Sequence, residues 1–281
     1  MSDVSSSGTF VKNPDATWNL TGGNGIPSGW STTSPFSFGG LQISPGPLYW
    51  DDDRGKVDIH RDWTYTSYGS RYGLWEHNST YFSFLELGKI FEKTNFTKAD
   101  GDIDNLLNPL NGWRLPTRAE WCTLTTGESP GTARTGSTVN GIAGCKFALI
   151  RLSGYKVTNI YGSNIYGLLL FPDGKTIYCK QLNGINNNTI NIGITITELN
   201  FYLEQGCVFL PSFGMYGSQL LDEELGEYEE GWFSGDLYYW SSSQVDNEQA
   251  YGIKKMNSVL PSFSDTKEQY FAVRLVRDSI D

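Results

Sequence analysis

Histidine is nearly missing from this chain of 281 residues: there are two, His60 and His77, both in polar stretches. Cysteine is sparse as well. Cys122, Cys145, Cys179 and Cys207 form no Cys-x-x-Cys or Cys-x-x-His pair, so the clustered soft ligands that a zinc site needs are lacking. With so few histidines, nucleophile–base catalysis has little to work with. No Gly-x-Gly-x-x-Gly or Walker loop stands ready to cradle a phosphate. Carboxylates are plentiful, but loop acids ordinarily serve solubility, so glycosidase chemistry gains no particular support. The expectation is a protein that is not an enzyme, with no cofactor and no metal site.

Positive charge is also in deficit. There are 21 Lys and Arg against 31 Asp and Glu, a net charge of −10. A phosphate backbone or an anionic membrane surface would be repelled by that field, so nucleic acid and lipid headgroups are excluded as expected partners. No apolar run is long enough to cross a bilayer, since the longest, Ile165 to Phe171, is broken by Tyr166 and Gly167. Direct membrane insertion is not expected. The start, Met1 to Gly8, has no basic or apolar signal region and reads as a serine-rich linker. Either no export is needed, or the chain follows a removed signal or anchor.

Aromatic residues make up 14% of the chain and glycine is abundant at 32 residues, with only 19% charged. That balance suits short strands and shaped loops better than helical bundles, whose surfaces need many Glu and Lys. The four cysteines have apolar neighbours, which points to buried thiols acting as small hydrophobes, with a single disulfide as the alternative. Asp51-Asp52-Asp53 and Asp100-Gly101-Asp102-Ile103-Asp104 are the two acidic clusters that resemble calcium loops. The second lacks the required Gly and terminal Glu, with Asn105 and Asn111 at those places. Hydrated turns are the plainer reading of both.

Helical spacing of Phe84, Leu87, Ile90 and Phe91 predicts a helix over Tyr81 to Thr94. Thr117 with Glu120 three residues on has capping-box spacing and opens a second helix, with Trp121 and Leu124 on its buried face. A third, shorter helix fits Thr197 to Gln205. Between them the period falls to two: Lys146 to Leu152, Ile165 to Phe171, Thr176 to Cys179 and Val208 to Leu210 read as strands, and Pro172-Asp173-Gly174 as a hairpin turn. Residues Leu220 to Glu230 hold six acids and read as a solvated loop. The alternation of Phe271 to Arg277 predicts a central strand. No repeat or linker divides the chain. Residues 1–40 read as an extended segment packed on, or leading into, one domain over 41–281.

Three stretches carry a more specific signal: Gly112-Trp113-Arg114-Leu115-Pro116-Thr117-Arg118-Ala119-Glu120-Trp121, then Tyr238-Tyr239-Trp240-Ser241-Ser242-Ser243, then Val273-Arg274-Leu275-Val276-Arg277. In this order they resemble C-type lectin-fold proteins related to formylglycine-generating enzyme. They are closer still to the major paralogous domain proteins of gut Bacteroidetes and their phages. Leu41 to Gly46, Asn140 to Cys145, Leu170 to Gly174 and Gly206 to Pro211 extend the resemblance from about residue 40 to the end. It implies an α+β, C-type lectin-like fold, with a short mixed sheet, two or three helices and much irregular loop.

Several members of that family are variable proteins of diversity-generating retroelements, in which codons near the C-terminus are rewritten. The resemblance therefore implies a ligand-binding protein, displayed on a cell surface or a virion, whose segment 236–281 recognises a protein or glycan. The implied contact residues are Tyr239, Trp240, Gln244, Asp246, Asn247, Glu248, Gln249, Tyr251, Lys254, Asn257, Ser262, Ser264, Lys267 and Gln269. Trp240 also reads as part of the frame. Tyr with Asn, Ser and Asp is a composition that recurs in adaptable binding loops. A structural subunit of a surface or phage-tail assembly is the alternative. The chain departs from the enzymes because no cysteine follows Cys207, which leaves no C-terminal pair for copper. It departs from calcium-dependent lectins because Glu-Pro-Asn, Gln-Pro-Asp and Trp-Asn-Asp are all missing.

Overall fold

Alternating and fully apolar runs of this length satisfy their backbones by pairing, and most of the described residues lie in strands. The computed structural model describes residues 9–12, 18–21, 36–44, 46–51, 56–59, 80–90, 113–125, 134–153, 164–178, 191–212, 236–255 and 259–279. In chain order the first elements are β1 (Thr9–Lys12), β2 (Trp18–Thr21), β3 (Leu41–Ile43), β4 (Leu48–Asp51), β5 (Lys56–Ile59), β6 (Tyr81–Ser83) and α1 (Phe84–Ile90). Then come α2 (Arg118–Thr125), β7 (Ser137–Val139), β8 (Ile142–Cys145), β9 (Phe147–Ser153), β10 (Asn164–Leu170), β11 (Thr176–Ile177) and β12 (Asn191–Ile194). The last are α3 (Ile196–Glu204), β13 (Val208–Pro211), β14 (Leu237–Gln244), β15 (Gln249–Lys255), β16 (Val259–Thr266), β17 (Tyr270–Ala272) and β18 (Val276–Asp278). The class is mixed α+β, mostly sheet with few helices.

Two sheets dominate. One has strand order β12-β9-β10-β13 and the other β16-β15-β14-β17-β6. The first packs Ile150, Leu169 and Phe209 against Leu199, Tyr202 and Leu203 of α3. The second buries Tyr238, Trp240 and Phe271 against Phe84 and Leu87 of α1 and against Trp113 and Leu115. A third cluster joins them, with Trp121 and Leu124 of α2 against Tyr239, Ile253, Leu168 and Leu210. Full burial of such side chains is worth roughly 1.5–3 kcal/mol each, which is what holds such short strands in place.

Helices α2 and α3 are explained by their first turns. Thr117 Oγ1 accepts from Glu120 N, and Glu120 Oε2 accepts from Thr117 N at 2.7 Å. Thr195 and Glu198 do the same for α3. Arg114 lays a two-pronged guanidinium on the Glu120 carboxylate, with N–O distances of 2.8 and 2.6 Å. The conjunction Arg114…Thr117…Glu120 is thus one hydrogen-bonded knot at the mouth of α2.

Two expectations are corrected. The helix predicted over Tyr81 to Thr94 starts only at Phe84, because Tyr81–Ser83 pairs antiparallel with Tyr270–Ala272 and Ser83 caps the helix through Glu86. Residues beyond Ile90 lie outside the described set. The single central strand predicted over Phe271 to Arg277 is instead divided. Tyr270–Ala272 belongs to the five-stranded sheet, while Val276–Asp278 pairs with Leu41–Ile43. Between them the backbone bonds elsewhere: Val273 O accepts from Leu48 N and Leu275 O from Ser44 N. Arg274 is buried at this crossing, not alternating out to solvent.

The thiol expectation holds in part. Cys145 and Cys207 are buried thiols, Cys122 is half-exposed, and Cys179 lies outside the described residues. So do Asp52, Asp53 and the Asp100 cluster, the run Leu220 to Glu230, and both histidines.

Candidate functional site

All eight residues of β14 are buried, so the Tyr-Tyr-Trp-Ser-Ser-Ser stretch is frame. Trp240 stacks on Phe271 with centroids 4.1 Å apart, and its Nε1 donates to Phe82 O at 2.8 Å. Gly252 is its register partner. A Cβ there would meet Tyr239 O at 2.6 Å, so only glycine lets β15 lie this close. Tyr239 donates to Pro211 O at 3.0 Å and is 1% exposed. Neither Tyr239 nor Trp240 has surface to offer a ligand, which corrects their place in the contact set. The serines serve the backbone: Ser241 Oγ donates to Tyr251 O, and Ser243 Oγ accepts from Arg118 N.

From this frame β14 and β15 project a tip. Val245, Asp246, Asn247, Glu248 and Gln249 are all exposed. Asp246 Oδ1 accepts from Glu248 N at 2.7 Å and Gln249 N at 2.8 Å, an Asx-type closure of the turn. Those two N–H donors hold its carboxyl below the usual carboxylate range. Lys267 comes up from beneath. Its ammonium donates to Gln244 Oε1 at 2.9 Å, Asp246 O at 2.6 Å and Asn247 O at 3.1 Å, and sits 5.6 Å from the Phe84 ring centroid. Burial lowers its pKa, with Asp246 partly offsetting. Lys267 and Gln244, both buried, therefore support the tip from below and are not contact residues; this too corrects the expectation.

The remaining members fall on two faces of the sheet. Tyr251 and Ser264 are register partners on the side covered by α2. There the Arg118 guanidinium lies 4.3 Å from the Tyr251 ring centroid, with Nε donating to Ser262 Oγ at 3.1 Å. Cys122 Sγ is 3.5 Å from the same hydroxyl. Lys254 is on the opposite side, its ammonium 4.9 Å from the Tyr238 ring and 4.8 Å from that of Phe263. Gln269 is half-buried below the tip, where its N–H donates to Thr266 O. Asn257 lies outside the described residues. The set therefore does not form one open face. It divides into an exposed tip, a polar–aromatic patch beside α2, and a lysine behind them.

Arg118 is the residue that the sequence reading missed. Its position in the Pro116-Thr117-Arg118 turn was legible, but the contact it makes with Tyr251, 133 positions later, was not. Among the described residues no three His, Cys, Asp or Glu side chains gather as metal ligands, and no helix is long and apolar enough to cross a membrane. The arrangement is suited to recognition by hydrogen bonds, a stacked guanidinium and aromatic surface. No family model, curated protein or solved structure matches this chain.

Proposed function

We propose that this is a ligand-binding protein of C-type lectin-like fold, without catalytic activity, that recognises a protein or glycan through its C-terminal hairpin. The contact surface consists of Asp246, Asn247, Glu248 and Gln249 at the tip, continued by Tyr251, Ser262 and Ser264 with Arg118. One observation carries the reading: exposed, chemically varied side chains stand on a strand whose eight residues are all buried. Such a frame limits the ordering entropy that binding would otherwise cost, and it tolerates side-chain change above it. Placement on a cell surface or virion, and rewriting of these codons by a retroelement, complete the proposal.

Screening the purified chain on glycan and extracellular-protein arrays supplies the test. A ligand so found should bind at least about tenfold more weakly to Asp246→Lys and to Tyr251→Ala, with the melting temperature little changed. Binding that ignores both substitutions defeats the assignment. A near-copy of the 3′ coding segment, differing at adenines and lying beside a reverse transcriptase gene, is the genomic signature expected for diversification.

A further inference from the structure

β16 ends the five-stranded sheet, and among the described residues nothing pairs with its outer side. Its inner phase is fixed by Lys267 N donating to Glu248 O and by the unbroken register from Gly252↔Phe263 to Gln249↔Thr266. With antiparallel alternation, Phe263 and Asp265 face β15, and the N–H and C=O of Ser264 face outward. At one end the edge is closed, because Thr266 N–H is taken by Asp265 Oδ1 and its carbonyl by Gln269 N. At the other end a bulge lies between Gly252/Phe263 and Lys254/Leu260, leaving Pro261 and Ser262 without register partners. Proline at that bulge removes no ladder bond. The open window is therefore Ser262 to Ser264.

Exposed edges are usually blunted by charged side chains, proline, bulges or a covering element. Pro261 and the bulge blunt the start of β16, so docking is confined to Ser262 through Ser264, beside two cations. Arg118 is exposed on the α2 side, held by the Tyr251 ring and Ser262 Oγ. Lys254 is on the other side, over Phe263. An added strand would direct alternate side chains to these two faces, so each cation could meet a carboxylate.

We propose that β16 is a docking edge that accepts, as a sixth strand, an extended acidic segment of a partner protein. Backbone bonds to Ser264 and to Ser262 supply the pairing, and Arg118 and Lys254 select acidic side chains on opposite faces. This rests on the ligand-binding reading and names its ligand as polypeptide.

The test has two arms on the full chain. In hydrogen exchange of the free protein, the Ser264 amide should exchange quickly while those of Phe263 and Asp265 are protected. A protected Ser264 would mean that the edge is already covered, and would overturn the proposal. A random displayed-peptide library is then selected against the chain. Enriched sequences should carry two Asp or Glu residues an odd number of positions apart, one for each face. The synthetic peptides should lose about tenfold or more of their affinity on Ser264→Pro, on Arg118→Glu, or when N-methylated at alternate residues. Because Ser264→Pro could perturb folding, the N-methylated peptide against the unaltered chain is the deciding comparison. Binders indifferent to N-methylation and Arg118→Glu would sink the docking mode and leave the ligand-binding reading standing. No binder at all, from the library and from the arrays, would sink both.

Discussion

Asp173 accepts three hydrogen bonds from two separated stretches: Arg134 Nε at 3.2 Å and Gly136 N at 2.7 Å from one, and Gly39 N from the other. It was visible only as the middle of a Pro172-Asp173-Gly174 turn. Its partner Arg134 is wholly buried and also donates to Leu124 O and Phe171 O. Desolvation is the larger influence on that guanidinium and lowers its pKa, with the Asp173 charge in opposition. Burial has therefore cost the cation its water, and among the described residues Asp173 is its ion-pair partner. Asp173→Asn keeps the shape and removes the charge, which strands a buried cation. A loss of about 3 kcal/mol is expected by urea denaturation. A loss below about 1 kcal/mol would show that carbonyls alone satisfy Arg134. A trivial turn aspartate would lose far less.

At the level of the element, the hairpin tip is a turn closed by Asp246 and supported by Lys267, and both act through backbone atoms. Because the Asp246 carboxyl is held below its ordinary 3.8 by two N–H donors, its contribution is present above that pH and is lost as pH falls through the depressed value. Amide proton shifts of Glu248 and Gln249 should therefore titrate together, with a midpoint below 3.8, and the rest of β15 should stay still. Lys267→Met should loosen the same residues at neutral pH, seen as faster exchange confined to 244–249. β9, β10, β11, β13 and the three helices were legible, because local period and capping chemistry are written in neighbouring residues. β14, β15 and β16, which carry the candidate site, were not read as strands. The contact set was legible only as a segment. Trp240 already read as part of the frame, but Tyr239, Gln244 and Lys267 look no different in sequence from Tyr251 or Gln249. Whether a polar side chain supports a loop or faces solvent depends on strands 20 or more residues away. The tail from Phe271 to Arg277 failed for a related reason, since alternation cannot reveal that a strand changes sheets midway.

At the scale of the whole molecule, β13 forms an edge of the four-stranded sheet, and side chains from the five-stranded sheet and its tail satisfy its outward carbonyls. Phe209 O accepts from Arg274 Nη2 and Pro211 O from Tyr239 OH. Both donors are fully buried, and their titrations oppose each other. Burial raises the Tyr239 phenol above its usual range, with Arg274 partly offsetting, and lowers the Arg274 guanidinium to about 10. The phenol's contribution is complete below pH 10, the unfolded value, and is lost above it, because an unfolded tyrosine can ionise and the buried one cannot. The guanidinium runs the other way: above about 10 the folded form gives up its proton before an unfolded arginine would, so stability rises with pH. Removing the Tyr239 phenol should therefore reveal the contribution of Arg274. Tyr239→Phe is expected to cost about 1–2 kcal/mol at pH 7 through the lost donor to Pro211 O. Above pH 10 its denaturation midpoints should fall less steeply than those of the unaltered chain, by up to about 1.4 kcal/mol per pH unit. Arg274→Met should show the reverse, a steeper alkaline fall. Parallel curves for all three proteins would mean that these two side chains are not the buried donors joining the sheets.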